Sequence, residues 1–138
     1  MRPDPTAYTI ITTPYGYHEC HEFLRRNSRE IKWHLGCPTI VYRQHDIIKG
    51  LISRQKSDKM VIVRLIQVDY DLPRLKKAIV IIRLVEALEA YFSRVGLKWY
   101  WAAIDNNKPE FIDLVKRAFG VDASHIDEVN HWYKRELV

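Results

Sequence analysis

The order of secondary-structure elements is clearest in residues 83–107, which read RLVEALEAYFSRVGLKWYWAAIDNN. Apolar residues recur at helical spacing over about Leu75 to Val95, and the predicted buried stripe consists of Ile81, Leu84, Val85, Leu88, Phe92 and Val95. Gly96 suits the position after a helix C-terminus. Lys98–Ile104 then indicates a strand, whose two tryptophans share one face and are expected to pack in the core under the helix.

Short β-branched runs separated by turns precede this helix. The predicted strands are Thr39–Arg43, Ile47–Arg54 and Met60–Val68, with turns at His45-Asp46 and Ser57-Asp58-Lys59. Because these turns are short, the three strands favour an antiparallel meander. Before them, the sequence predicts a strand from Tyr8 to Thr13 and one or two helices at about residues 17–35, which Gly36 and Pro38 end.

A second amphipathic helix is predicted at Pro109–Phe119. Asn107 is its expected N-cap, Glu110 completes a capping box and Gly120 ends the helix. A last strand is predicted at His131–Leu137. Strands and helices therefore mix along the chain, with a meander first and helical crossovers later. This order predicts an α+β fold, in which helices flank a mixed, mostly antiparallel twisted sheet.

Length and composition describe one ordinary domain spanning residues 1–138. The chain has 22 Lys and Arg against 17 Asp and Glu, a formal net charge of +5, which hints at an anionic partner. No sequence signature of a nucleic-acid-binding motif is present, so nucleic acid is a disfavoured partner. Two cysteines exclude a disulfide scaffold, and no apolar run is long enough for a membrane span. With no signal peptide evident either, a cytoplasmic location is expected.

In this order and at these separations, residues 83–107 and the turn Phe119-Gly120-Val121 resemble the GCN5-related N-acetyltransferase (GNAT) superfamily, and the resemblance extends over about residues 8–137. In that family a long helix ends at a glycine, a strand follows, and an Asp-Asn pair opens the next helix, as Asp105 and Asn106 do here. The resemblance implies a GNAT-like fold with acetyl-CoA in a cleft between two splayed strands. The implied activity is acetyl-CoA-dependent N-acetyl transfer from the CoA thioester to an amine.

The resemblance also implies which residues hold the cofactor. The strand before the long helix carries a bulge in the family, and its counterpart here is Ile62–Val68. Backbone groups near Gln67 and Val68 would hold the pantetheine arm. Asn106 matches an asparagine that often contacts the cofactor in the family.

The glycine-rich pyrophosphate loop of the family has no counterpart in Asp69–Ile79, which contains no glycine. Only Ala78 fits the last small position of that loop. Glycines there let backbone N–H groups close on the phosphates at a helix N-terminus. We expect Arg74, Lys76 and Lys77 to compensate by charge, with a solvated basic turn as the alternative interpretation.

The catalytic residues depart from the family pattern as well. Many members place a tyrosine four residues before the glycine that ends the last helix, where this chain has Lys116. A lysine protonates a leaving thiolate only when its pKa is depressed, and the alternative is an exposed helix lysine, with Tyr133 or Tyr91 as substitutes. The first helices form the acceptor wall in the family. Glu22 and His34 are therefore the predicted catalytic groups that take the proton of the amine, with His21 beside them.

Two further interpretations stay open. The residues His18, His21, His34 and Cys37 have the spacing of a two-plus-two zinc site, although ordinary half-buried or surface histidines and cysteines are the favoured explanation, so no metal ligand is assigned. The second interpretation concerns function. A GNAT-like fold with an eroded loop and no tyrosine also resembles internal virion proteins of short-tailed phages, so a catalytically eroded binding or virion component is the alternative to an enzyme. Pairing of edge strands also allows a homodimer.

Overall fold

The computed structural model describes residues 7–55 and 60–137, so the turn expected at Ser57-Asp58-Lys59 lies outside the described residues. Strands and helices follow one another in the order β1 (Tyr8–Ile10), α1 (Pro14–Arg26), β2 (Leu35–Gln44), β3 (Ile47–Gln55), β4 (Ile62–Val68), α2 (Arg74–Arg94), β5 (Trp99–Asp105), α3 (Pro109–Phe119), β6 (His125–Ile126) and β7 (Asn130–Glu136). This confirms the predicted mixture of helices and strands.

The strands form one seven-stranded sheet in the order β1-β2-β3-β4-β5-β7-β6. Every neighbouring pair is antiparallel except β4 and β5, which are parallel and joined by the helical crossover α2. His45 and Asp46 connect β2 to β3 with φ of 50° and 65°, the left-handed backbone of a tight hairpin. The mixed, mostly antiparallel sheet and its meander are therefore confirmed.

Helices cover both faces of the sheet and create two apolar cores. The larger core packs α2 and α3, through residues such as Leu84 and Val115, against one face. The smaller core packs α1, through Cys20, Phe23 and Leu24, against the other face over β2–β4. The sheet therefore lies between two layers of helix.

The first helix is shorter than the sequence predicts. The side chain of Thr13 accepts a hydrogen bond from the Gly16 N–H at 3.0 Å and caps α1, so the strand expected up to Thr13 ends earlier. At the other end Ser28 has a φ of 54°, which stops the helix, and residues 29–34 follow without helical structure. The helical prediction for that second half is wrong, because Ile31 packs against the smaller core from an irregular segment. Gly36 and Pro38 lie inside β2 and end no helix.

The later helices begin and end close to their predicted residues. Val95 is 61% exposed because it caps α2 instead of extending its buried stripe, and Gly96 follows with a φ of 84°. Gly120 ends α3 with a φ of 70°, as predicted. The capping box is wrong: Lys108 occupies the N-cap, and Asn107 instead donates its backbone N–H to the Asp105 carboxylate.

Candidate functional site

The parallel strands β4 and β5 are joined at one end only. Over the described residues their ladder is confined to two pairs, Ile62 with Trp101 and Val63 with Ala102. A register shift between β3 and β4 makes Arg64 an extra residue in β4, which is a β-bulge. Beyond the bulge the two strands part. The bulged and splayed strand expected from the resemblance is therefore present.

The parting leaves backbone groups of β4 facing the wedge between the two strands. The Asp69 N–H donates to the Lys49 carbonyl at 2.8 Å, so this opposed pair is hydrogen-bonded to β3. Because hydrogen-bonded and free pairs alternate in an antiparallel ladder, the N–H and C=O groups of Ile66 and Val68 point toward the wedge. The Gln67 side-chain amide donates to the Val68 carbonyl at 2.9 Å. The remaining N–H and C=O groups can form hydrogen bonds with an extended ligand that lies there in place of a neighbouring strand.

A cavity of about 490 Å³ occupies the wide part of the wedge. Its walls come from β4, the residues after β4, the first turns of α2 and α3, and the segment after α1. The lining residues are Arg29, Ile66, Gln67, Val68, Tyr70, Lys77, Lys108, Pro109, Glu110, Phe111 and Leu114. Three predicted cofactor residues, Gln67, Val68 and Lys77, therefore meet in one cavity.

The N-terminus of α2 beside this cavity is strongly positive. Arg74, Lys76 and Lys77 lie in its first turns, which carry no acidic residue, and none of the three forms an ion pair within residues 7–55 and 60–137. Lys76 contacts the face of the Tyr42 ring at 5.3 Å, Arg74 is exposed and Ala78 is half-buried. Cations are unfavourable at a helix N-terminus, where free N–H groups already carry partial positive charge. This end of α2 is therefore suited to an anion.

The backbone N–H groups of the segment before α2 already donate hydrogen bonds within the protein. The Tyr70 N–H donates to the Asn27 side chain at 2.9 Å, the Asp71 N–H to the Asp69 carboxylate, and the Leu72 N–H to the Asp69 carbonyl. Asp69 is itself buried, with the ammonium of Lys49 3.5 Å from its carboxylate. An anion at this point must therefore be held by the first turn of α2 and by cationic side chains, because the preceding loop has no glycine-like cradle.

The predicted catalytic residues do not line the cavity. Glu22 is exposed on α1 and lies 3.3 Å from Arg25 and 3.7 Å from His18. His34 is exposed just before β2. Their roles stay predictions, and a substrate would have to reach them from the α1 side.

Asn106 is held away from the cavity by the turn between β6 and β7. Its side-chain amide donates to the Asp127 carbonyl at 2.7 Å, its Oδ1 is 2.6 Å from His131 Nδ1, and its backbone N–H bonds the Val129 carbonyl. The cofactor contact predicted for Asn106 stays a prediction, and in this arrangement the residue fixes the turn after β5.

The candidates for the general acid are also elsewhere. Lys116 is exposed and pairs with Asp122 at 2.7 Å, and this hydrogen bond raises the pKa of Lys116. The lowered pKa that a proton donor to a thiolate needs is therefore not produced here. Tyr133 is buried against Phe119, and Tyr91 contacts Cys37 at 3.4 Å. Neither tyrosine lines the cavity.

The zinc interpretation finds no assembled site. Through the described parts of the chain, no three or more His, Cys, Asp or Glu side chains are grouped to hold a metal ion. His18 and His21 lie on α1, and Cys37 lies in β2. None of the described helices combines the length and the apolar composition that a membrane span requires.

Sequence reasoning missed three cationic residues of the wedge. Arg29, Arg64 and Lys108 line a narrow recess together with Asp105. The bulge was the only signal that pointed to Arg64, since an extra residue re-aims a side chain. Arg29 falls in the segment predicted to be helical and Lys108 directly follows the expected N-cap Asn107, so the sequence places neither residue beside the wedge.

Comparison with known proteins identifies the fold. No protein-family model matches the sequence, and no curated protein matches it. Among solved structures, an N-acetyltransferase from Staphylococcus aureus Mu50 is 8% identical with a TM-score of 0.67, covering 94% of this chain and 96% of that one. Ard1 from Thermoplasma volcanium is 13% identical with a TM-score of 0.63, covering 94% and 98%.

A third structure, yncA from Salmonella typhimurium with its cofactor acetyl-CoA, is 14% identical with a TM-score of 0.66, covering 96% of this chain and 95% of that one. At identities this low, the TM-scores establish a shared architecture alone. The similarity extends along nearly the whole chain. The chain therefore has the fold of the GNAT acetyltransferases.

Proposed function

We propose that this chain is an acetyltransferase that binds acetyl-CoA in the wedge between β4 and β5 and transfers the acetyl group to an amine. The observation that carries the proposal is the parting of β4 from β5 after Val63 and Ala102, which opens a wedge toward the cationic N-terminus of α2. The similarity of the fold to a structure that contains acetyl-CoA supports it.

Different parts of the wedge would hold different parts of this ligand. Backbone groups of Ile66 and Val68 would bond the amides of the extended arm, as in strand addition. Lys77, Arg74 and Lys76 would hold the phosphates together with the free N–H groups of α2. The ligand supplies a thioester carbonyl activated toward nucleophiles. These contacts use charge where other members of the fold use glycine backbone.

The transfer itself asks little of the protein. The C–N bond forms as the C–S bond breaks, and one proton passes from the amine nitrogen to the thiol sulfur, so the reaction is balanced without another reactant. Holding the two partners together supplies much of the acceleration. Without a tyrosine as general acid we expect turnover to be slower by about 10²–10⁴-fold than with one. Glu22 and His34 stay the predicted proton acceptors, and Asp105 is a carboxylate that lines the wedge.

The first test is binding of CoA and acetyl-CoA, measured by calorimetry and thermal unfolding. We expect a stabilisation of about 2.7 kcal/mol at a ligand concentration of 100 times Kd. The variant R74A/K76A/K77A should weaken binding and remove its salt dependence. The matched control R94A/K98A/R117A lowers the net charge by the same three units at exposed positions outside the cavity and should bind normally.

Acetyl transfer is then followed by release of free thiol in the presence of amines. An unchanged melting temperature at millimolar CoA would refute the proposal and leave a fold that has lost its cofactor. Equal weakening by the two triple variants would instead show that net charge, and not the N-terminus of α2, attracts the ligand.

A further inference from the structure

A narrow recess lies in the wedge beside the large cavity. It is lined by Arg29, Arg64, Asp105 and Lys108 together with the apolar side chains of Ile66, Ile104 and Phe111. We call Arg29, Arg64 and Lys108 the cationic cluster. They come from the segment after α1, from the bulge of β4 and from the N-cap of α3, so the fold itself assembles them.

The charges of the cationic cluster are not balanced within the described chain. Asp105 is the one carboxylate among the residues that line the recess, and its Oδ1 already accepts the Asn107 N–H at 2.9 Å. None of the three cations forms an ion pair with a described residue. Three positive groups therefore face one negative group in a partly apolar recess.

Arg64 is the most informative member of the cluster. Its guanidinium lies over the Trp132 ring, 5.4 Å from the centroid, in a cation–π contact. Its Nε is buried and has no hydrogen-bond partner among the described residues. A buried donor without an acceptor is costly, so an acceptor brought by a ligand would satisfy it.

The pKa values of Arg29 and Lys108 are both lowered at the recess. Arg29 donates one hydrogen bond to the Gln67 side chain at 3.1 Å, and its burial lowers the pKa of its guanidinium, which still stays charged. Partial burial also lowers the pKa of the Lys108 ammonium, and the charge of Arg29 lowers it further. Both effects would be relieved by an anion in the recess.

We propose that the cationic cluster binds the carboxylate of the acetyl acceptor, so that the acceptor is an amino acid or another small amine that bears a carboxylate. The inference rests on the proposed function, because it names the amine that the transferase would use. Asp105 would attract the ammonium of such a zwitterion, which explains one carboxylate among three cations. The product is the N-acetylated amino acid, formed by the same exchange of C–S for C–N.

The size of the recess favours a carboxylate over a CoA phosphate. Its free volume is about 10 Å³, roughly the space of one water-sized group such as a single carboxylate oxygen, and it is too small for a pyrophosphate. A planar carboxylate also matches the fork of Arg64. The phosphates have their own cationic partners at the N-terminus of α2. The recess is therefore suited to the carboxylate of an acceptor rather than to the phosphates of the nucleotide.

The experiment compares acceptors in matched pairs, a free amino acid and its amide, with glycine, leucine and phenylalanine as the amino acids. Transfer is measured as kcat/KM, and binding to the protein alone and to CoA-saturated protein is measured by calorimetry. We expect a preference of about 100-fold for the free carboxylate. The variant R64M should abolish this preference and leave the affinity for CoA within about twofold.

R64K keeps the charge and loses the fork, so its preference for the free carboxylate should lie between that of the unchanged protein and that of R64M. It also keeps the proposal testable if R64M fails to fold. R94M removes an exposed arginine of α2 and is the control that should change nothing. Equal use of amides and free amino acids, with CoA still bound, overturns the acceptor assignment alone. A loss of CoA affinity in R64M assigns the cluster to a phosphate and overturns it as well. Failure of CoA binding in the unchanged protein refutes the transferase, and amino-acid binding to the protein alone then decides whether the carboxylate site exists.

Discussion

Glu89 connects three elements of the molecule through side-chain hydrogen bonds. The guanidinium of Arg135 in β7 donates to both carboxylate oxygens of Glu89, at 2.9 and 3.0 Å. The Tyr100 hydroxyl donates to the same carboxylate at 2.6 Å. Arg135 also donates to the Phe119 carbonyl at the end of α3. Burial raises the pKa of Tyr100, and the neighbouring carboxylate raises it further, so the hydroxyl stays a donor. One carboxylate thus joins α2, β5 and β7.

Removing this carboxylate should destabilise the protein far more than removing its neighbour. We expect E89A to cost about 2–4 kcal/mol, because it leaves a half-buried arginine and a buried hydroxyl without their acceptor. Glu86 is the matched control: it lies 57% exposed, paired with Arg83, and E86A should cost less than about 0.5 kcal/mol. Urea denaturation measures both values. Equal losses would mean that the Glu89 network contributes no more than a surface ion pair.

The burial of single residues is predicted least well in strands, where it depends on which face of the sheet a side chain lies on. The tryptophans of β5 share one face, as expected, but the core prediction for them is wrong. Tyr100 is the residue buried under α2, against Phe92, whereas Trp99 is 45% exposed. Alternation predicts which residues share a face and leaves open which face the helices cover. Arg64 escaped notice for a related reason, since its direction depends on a bulge.

At the scale of elements, Gly50 sets how closely α2 approaches the sheet. It lies in β3 opposite Val68, and a Cβ built there would be 2.8 Å from Val80 Cγ1 of α2. Real Cβ atoms do not come that close, so the helix or the side chain would have to move. The position of α2, and with it the cationic N-terminus at the wedge, therefore depends on a missing side chain.

The variant G50A tests this contact. We expect it to cost about 1–3 kcal/mol by overpacking. V80A removes the clashing methyl group. The loss in free energy of unfolding of the double variant G50A/V80A should therefore be smaller than the sum of the two single losses, by about 1 kcal/mol or more. The measurement is a double-mutant cycle in urea. Additive losses would contradict the contact and place the effect in the strand itself.

The elements that were predicted well are those whose signals are local. The hairpin at His45-Asp46, the glycine stop of α2 and the bounds of α3 follow from neighbouring residues. The second half of the first helix was predicted wrongly because Ile31 has helical spacing but reaches the core from an irregular segment. Propensity carries no information on such tertiary contacts.

At the scale of the whole molecule, the fold could be predicted and the chemistry only in part. The order of elements and the resemblance led to the wedge, and Gln67, Val68 and Lys77 do line it. The cationic cluster of the recess could not be predicted, because the topology brings together segments that are distant in sequence. Clusters built by folding have no pattern along the chain, whereas a helix or a hairpin has one.

The two cores lie on opposite faces of one sheet. Cys20 of α1 is fully buried in the smaller core. Burial raises the pKa of its thiol to about 12, so at pH 8 the reactive thiolate is nearly absent. Leu88 of α2 is fully buried in the larger core. A reagent can reach Cys20 only through an opening of the structure, which makes the thiol a probe of cooperativity.

If the sheet unites the two cores, a cavity in one should expose the thiol in the other. In a C37S background, which leaves Cys20 as the single thiol, L88A should lower the free energy of unfolding by about 3 kcal/mol. Where opening and closing are fast, Cys20 should then react about 100-fold faster, since each 1.4 kcal/mol is a factor of ten. Unchanged labelling in L88A, despite its lower stability in urea, would show that α1 opens on its own. In that case α1 could move independently of α2, the helix proposed to hold the phosphates.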